Sequence, residues 1–143
     1  MKQKAERDYS GRSLFEKLGL FAAARAALVG DHDEWFAAAL AVELDSAASR
    51  SLRAQYDLIF LKVIASRDLA RVASAAAHLK PNGALWIFHP KGRGATPSDG
   101  EVRATGLAAG LVDNKISAYS DSHTATRFVI PLSSRAPSRD SRG

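Results

Sequence analysis

The stretch Tyr56–Gly94, YDLIFLKVIASRDLARVASAAAHLKPNGALWIFHPKGRG, decides the fold. Its first segment, Tyr56–Ile64, sets Leu, Ile, Phe and Leu on consecutive positions, as a strand buried on both faces requires. Ser66 stands where a helix cap is expected, with Asp68 inside the first turn. Leu69, Val72, Ala73, Ala76 and Leu79 then fall at helical spacing and supply an apolar stripe. Pro81-Asn82-Gly83 reads as the helix stop, and Ala84–Phe88 as a second buried strand. A strand, a long connection and a second strand make a parallel crossover. The expected architecture is an α/β domain on a doubly wound, mostly parallel sheet, with four or five parallel strands.

Working outward, Ser13–Gly19 predicts a short helix, with Ser13 as cap, Glu16 at capping-box spacing and Gly19 as its end. Arg25–Val29 is the expected first strand, stopped sharply by Gly30. Asp31 or Asp33 can cap the helix Glu34–Leu40, and Ala41–Asp45 alternates as a short second strand would. Residues 46–55 read as a loop or a helical turn. Downstream, Glu101–Gly110 predicts a helix whose Gly106 and Gly110 suit close approach to the sheet. Leu111–Tyr119 and Thr124–Ile130 alternate and are joined by Ser120–His123, an antiparallel C-terminal hairpin.

With 143 residues, the chain is long enough for one real hydrophobic core, here placed in residues 12–132. The absence of cysteine removes disulfides, thiolate zinc sites and cysteine nucleophiles. No apolar run is long enough to span a bilayer and no secretory signal is visible, so the expectation is a cytoplasmic protein without a membrane partner. The net charge of +5 points at first to nucleic acid, but residues 1–12 and 133–143 each contribute +2. Those ends read as a flexible N-terminal tail, 1–11, and a disordered basic C-terminal tail, 133–143. Tails of this kind solubilise, or touch phosphate only weakly, which makes nucleic acid an unlikely partner.

The order of elements, Tyr56-Asp-Leu-Ile-Phe, the turn Leu79-Lys-Pro-Asn-Gly-Ala-Leu-Trp-Ile, and Gly106-Leu-Ala-Ala-Gly-Leu-Val resemble the C-terminal half of the Rossmann-like class I S-adenosylmethionine-dependent methyltransferases. More narrowly, Leu18-Gly19, the His-Pro-Lys loop and Arg127-Phe-Val resemble a small bacterial family of unassigned function, a trimmed relative of those enzymes. The resemblance covers residues 56–131 well and 25–45 loosely. Where members of that family often carry Lys-Pro-Gly after Leu-Gly, this chain has Phe21-Ala-Ala-Ala. The resemblance implies a Rossmann-like domain and a place for S-adenosylmethionine at the end of the first strand.

The residues at that place argue against catalysis. A cofactor cradle needs glycines that let backbone approach the ligand, and the sequence offers Gly30-Asp31-His32-Asp33, one glycine among carboxylates. Glu43 or Asp45 could take the ribose-binding position that the resemblance puts after the second strand. Where the resemblance puts polar groups near an acceptor, after Tyr56–Leu61, Lys62-Val-Ile-Ala offers only one lysine. His32 among carboxylates lacks the spaced second histidine of a metal motif. His89, Lys91 and Arg93 follow the end of a parallel strand, where open α/β sheets bind ligands, and two cations among glycines suit a phosphate or carboxylate. The expected function is thus a non-catalytic, methyltransferase-like binding or regulatory module for a small anionic ligand or a protein partner, with an anion or nucleotide pocket at the carboxyl ends of the strands. The alternatives are a divergent S-adenosylmethionine-dependent methyltransferase and weak nucleic-acid association through the tails. Expected ligand-contacting residues are Gly30, Asp31, Glu43, Asp45, His89, Lys91 and Arg93, with no catalytic residue, no metal and no required cofactor; a homodimer is compatible with the edge hairpin.

Overall fold

The computed structural model describes residues 12–135. The N-terminal tail expected at 1–11 and all but the first three residues of the expected C-terminal tail lie outside the described residues. Of those three, Ser133 and Ser134 belong to a 3-10 turn, Leu132–Ser134, and Arg135 donates its Nε to the Ile130 carbonyl at 2.8 Å.

Five strands form one sheet: β1 (Ala26–Val29), β2 (Tyr56–Lys62), β3 (Leu79–Pro90), β4 (Val112–Ala118) and β5 (His123–Val129). Their spatial order is β1-β2-β3-β5-β4. β1, β2 and β3 are mutually parallel, whereas β5 pairs antiparallel with both β3 and β4. The sheet is therefore mixed, and the expected mostly parallel sheet of four or five parallel strands is corrected to three. The missing strand is the one predicted at Ala41–Asp45. Helix α2 (Glu34–Glu43) takes in Ala41–Glu43, burying Phe36 and Leu40, and ends at an extended Leu44. Alanine-rich sequence extends a helix at little cost, and the short alternation at Ala41–Asp45 did not outweigh it.

What remains of a second crossover is one residue pair. Ser49 bridges Ala27 in parallel, taking the Leu28 N–H at 2.8 Å and giving its own to Ala26 O at 2.9 Å. The chain thus passes from β1 through α2 to Ser49 on one side of β1, then returns to β2 on the other. The direction of strand succession reverses at β1, which makes its carboxyl end the place where such sheets hold ligands.

Two apolar layers enclose the sheet. On one face α1 (Arg12–Lys17) and α2 pack Phe15, Leu18, Phe36 and Leu40 against Leu58, Phe60, Trp86 and Phe88. On the other, a 3-10 segment Ser66–Arg71, α3 (Val72–Ala77) and α4 (Asp99–Ala108) cover Ile59, Leu61, Leu85, Ile87 and Phe128. Several local expectations shift. Arg12 opens α1, so Ser13 sits inside its first turn and does not cap it. Ser66 is likewise inside its helix; the cap position is Ala65, and the Asp68 carboxylate accepts the N–H groups of Ile64 and Ala65 at 2.8 and 3.0 Å. Leu79 begins β3 instead of ending α3, and residues 80–83 form a bulge opposite Tyr56–Leu58 where a helix stop was expected. Gly106 does permit close packing, because a Cβ there would strike the Phe128 ring, but Gly110 follows α4 in open space.

Candidate functional site

Three features meet the carboxyl ends of the parallel strands. The first closes the α1/α2 face. Gly30 leaves β1 at φ +95°, and a Cβ on it would lie 2.6 Å from the Lys62 carbonyl oxygen, so the glycine is required by the neighbouring strand itself. The turn then buries His32 beside Phe36, with Nε2 2.7 Å from the Phe60 carbonyl. Burial pushes the imidazole down to about 4, so it is neutral near neutral pH. Asp33 occupies the cap position of α2 but makes no cap bond. Its carboxylate accepts from the Tyr119 phenol at 2.8 Å and from the Lys62 ammonium at 3.1 Å. Burial opposes ionisation of Asp33, yet those two donors hold its carboxyl below the usual range. Burial, then the Asp33 carboxylate, push the Tyr119 phenol up, so it stays a donor. Tyr119 stacks on Phe88 at 4.3 Å and on Trp35 at 5.4 Å between ring centres. Trp35 is half-exposed at the end of that stack.

The second feature is a cavity of about 460 Å³ on the α3 side of the β1 end. Val29 and Gly30 form its floor, Arg50 and Ser51 follow the bridging Ser49, and Arg71 and Ser74 come from the helical segment after β2. Among the described residues it is lined by two guanidinium groups and no carboxylate.

The third is a cavity of about 230 Å³ between β3, β5, β4 and α4, reached by His89 and Lys91. His89 was expected in the loop that follows the strand. It lies instead inside β3, paired with Thr124 and 1% exposed, and its Nε2 is 2.8 Å from Thr126 Oγ1. Its Nδ1 has no hydrogen-bond partner. Asp99 Oδ1 stands 3.7 Å from that nitrogen, beyond hydrogen-bond length, so Thr126, His89 and Asp99 do not form a nucleophile relay.

The expected contact residues are thus dispersed. Gly30 belongs to the β1 cavity, while His89 and Lys91 belong to the one beneath α4. Arg93 is exposed and lines neither. Asp31 is an exposed turn residue. Glu43 ends α2, on the opposite face beside Phe15 and Phe21, and exposed Asp45 donates its backbone N–H to Ala22 O at 2.8 Å. With no strand at 41–45, neither carboxylate stands at a strand end, where the resemblance put the ribose position. Sequence reasoning did not single out Tyr119, Arg50, Arg71, Asp99, Arg103 or Thr126, and took Asp33 as a helix cap; these now line the cavities or join the network at the strand ends. The tertiary pairing of residues 33, 62 and 119 has no local signal, but arginine and serine at 50 and 51, after a residue bridging β1, become legible once the reversal at β1 is known.

No group of three metal-ligating side chains exists among the described residues, and no helix among them is long and apolar enough to cross a membrane. No protein-family model matches the chain, and no curated protein matches it. Solved structures do. CalO1, a methyltransferase in calicheamicin biosynthesis in its SAH-bound form, superposes with a TM-score of 0.62 at 15% identity, covering 87% of this chain and 53% of that one. A putative methyltransferase from Thermoplasma acidophilum gives 0.60 at 12% identity over 84% and 75% of the two chains. Mitomycin 7-O-methyltransferase MmcR gives 0.61 at 12% identity over 76% and 49%, so the chain spans about half the length of that enzyme. Together with a five-stranded mixed sheet whose order reverses at β1, these likenesses identify the fold as that of the class I S-adenosylmethionine-dependent methyltransferases.

Proposed function

We propose that this chain is a methyltransferase-fold binding module, regulatory in role, that holds a small anion-bearing ligand at the end of β1 and transfers no methyl group. The observation that carries this reading is the contrast between two neighbouring places. On the α1/α2 face, the space beyond β1 and β2 is taken by the chain's own Asp33–Lys62–Tyr119 network and by buried His32. On the α3 face, the cavity keeps two arginines, two serines and a glycine floor. Guanidinium groups offer paired donors to phosphate or carboxylate, and serine hydroxyls complete such a shell. A sulfonium cation gains nothing there, because two like charges already line the site.

Isothermal titration tests the reading. Adenosine monophosphate, as a phosphate-bearing probe, is expected to give saturable heat that an Arg50→Ala, Arg71→Ala double variant loses; S-adenosylmethionine is expected to give no micromolar binding. Saturable heat with S-adenosylmethionine and none with the nucleotide overturns the proposal. That outcome would favour a divergent methyltransferase, the second reading, which draws support from CalO1 in its SAH-bound form and from the O-methyltransferase NcsB1 in complex with S-adenosylmethionine. NcsB1 superposes at a TM-score of 0.60 and 12% identity.

A further inference from the structure

The cavity beneath α4 is separate from the β1 crevice and carries charges of both signs. Lys91 and Arg103 stand on its wall with Asp99 and Asp113. Arg103 and Asp113 are already matched, Nε to Oδ1 at 3.2 Å. Among the described residues no ion pair engages Lys91, and Asp99 has only His89 near it, at 3.7 Å. One cation and one carboxylate are therefore left facing the same space.

His89 supplies the second observation. Its ring is 1% exposed, Nε2 is spent on Thr126, and Nδ1 is a buried polar atom without a partner. Native proteins rarely leave such an atom unmatched; water, an ion or a ligand completes it, and the charges that share this cavity favour a ligand. Burial holds the imidazole below its ordinary range despite the pull of Asp99, so the ring is neutral near neutral pH. In the tautomer whose Nε2–H donates to Thr126, Nδ1 presents a lone pair. A single ammonium nitrogen at ordinary hydrogen-bond length from both Nδ1 and Asp99 Oδ1 spans their 3.7 Å separation, giving one proton to each.

We propose that this cavity binds a small zwitterion, a free amino acid with a short aliphatic side chain. Its ammonium bridges His89 Nδ1 and Asp99. Its carboxylate faces Lys91 and the guanidinium nitrogens that Arg103 does not give to Asp113. Val102 and Ile116 wall the apolar remainder, and about 230 Å³ excludes anything drug-sized. A simple anion such as phosphate is disfavoured, because it would meet two carboxylates in the same cavity.

Isothermal titration of the full chain with L-alanine, L-valine and L-leucine is the test. At least one of the three should give saturable heat. N-acetyl-L-valine, which lacks the ammonium, and L-valinamide, which lacks the carboxylate, should each bind at least ~10-fold more weakly than L-valine. Asp99 is 83% exposed, so Asp99→Asn leaves the fold intact, as circular dichroism can check, and should also weaken binding at least ~10-fold. Arg50→Ala, in the other cavity, should leave the amino-acid titration unchanged. Silence with all three amino acids, equal binding of the N-acetyl derivative, or an unchanged Asp99→Asn titration each overturns the proposal. A loss of amino-acid binding on Arg50→Ala places the ligand in the β1 crevice and overturns it as well.

Discussion

Asp33 and Tyr119 are 86 residues apart in the chain, yet the phenol donates to the carboxylate at 2.8 Å. With Lys62 on the same oxygen, this bond ties the turn after β1 to the segment after β4 across the carboxyl end of the sheet. The three side chains form a structural clasp at that end of the sheet.

The clasp is asymmetric, and that asymmetry gives the first prediction. Lys62 is 6% exposed and Asp33 40%. Asp33→Asn leaves a buried ammonium without its counter-charge. For a fully buried pair the cost is about 3–5 kcal/mol, and partial solvent screening at Asp33 lowers the expected loss to about 1–2 kcal/mol. Lys62→Met removes the charge together with its desolvation and should stay within about 1 kcal/mol of the parent. Urea unfolding of both variants checks this. A larger loss for Lys62→Met than for Asp33→Asn would sink the idea that the orphaned ammonium sets the cost.

Acid sensitivity follows from His32. An unfolded histidine titrates near 6.5, whereas burial holds folded His32 at about 4. Between those values the unfolded chain binds more protons, so stability is full above the upper value and falls as pH drops toward the lower one. The integrated loss is about 3 kcal/mol. Burial displaces His89 and His123 in the same direction, adding to the slope. Asp33 is depressed below its ordinary value, so its share is lost only at more acid pH. His32→Phe keeps a ring against Phe36 and should flatten the dependence. The check is the difference in unfolding midpoint between about pH 7.5 and about pH 5 for both proteins, and an unchanged slope would exclude His32 as its source.

The fold was legible where one local pattern dominated. Buried runs at 58–61 and 84–88 can only be interior strands, and alternation across 111–130 can only be a half-covered pair. Reading failed where two patterns competed. Ala41-Val-Glu-Leu alternates and is also good helix, and only the packing of Phe36 and Leu40 beneath the sheet decides between them. The site was less legible for a different reason. His89 sits in a stretch that reads as a basic loop, but its pairing with Thr124 draws it into β3 and buries it, while Arg93, two residues beyond Lys91, stays in solvent. Which polar residue faces a cavity depends on strand register, and one sequence does not print the register.

Trp86 anchors the N-terminal helix to the central strand. Its indole Nε1 donates to the Leu18 carbonyl at 3.0 Å, and both residues are fully buried. Trp86→Phe keeps most of the ring but leaves that carbonyl unpaired. The expected loss is about 1–3 kcal/mol. Hydrogen exchange should show the damage locally, with faster exchange for the amides of residues 15–20 and little change in β2. Uniform acceleration across the sheet would mean that the bond serves the whole domain and not α1.

Helix α4 owes its seat to one missing side chain. At Gly106 a Cβ would drive into the Phe128 ring, which is itself fully buried on β5. Gly106→Ala therefore overpacks the α4–β5 contact, and the expected cost is about 1–3 kcal/mol even though alanine is the better helix former by about 1 kcal/mol. The double variant Gly106→Ala, Phe128→Leu restores room and should recover part of the loss, the coupling expected of residues in contact. Thermal unfolding of the two single variants and the double completes the cycle. Strict additivity would show that the glycine is needed for some reason other than the ring. The same cycle bears on the cavity beneath α4, since Val102 and Arg103 ride on that helix. Lifting α4 should weaken amino-acid binding in Gly106→Ala and restore it in the double variant, so stability and occupancy are expected to move together.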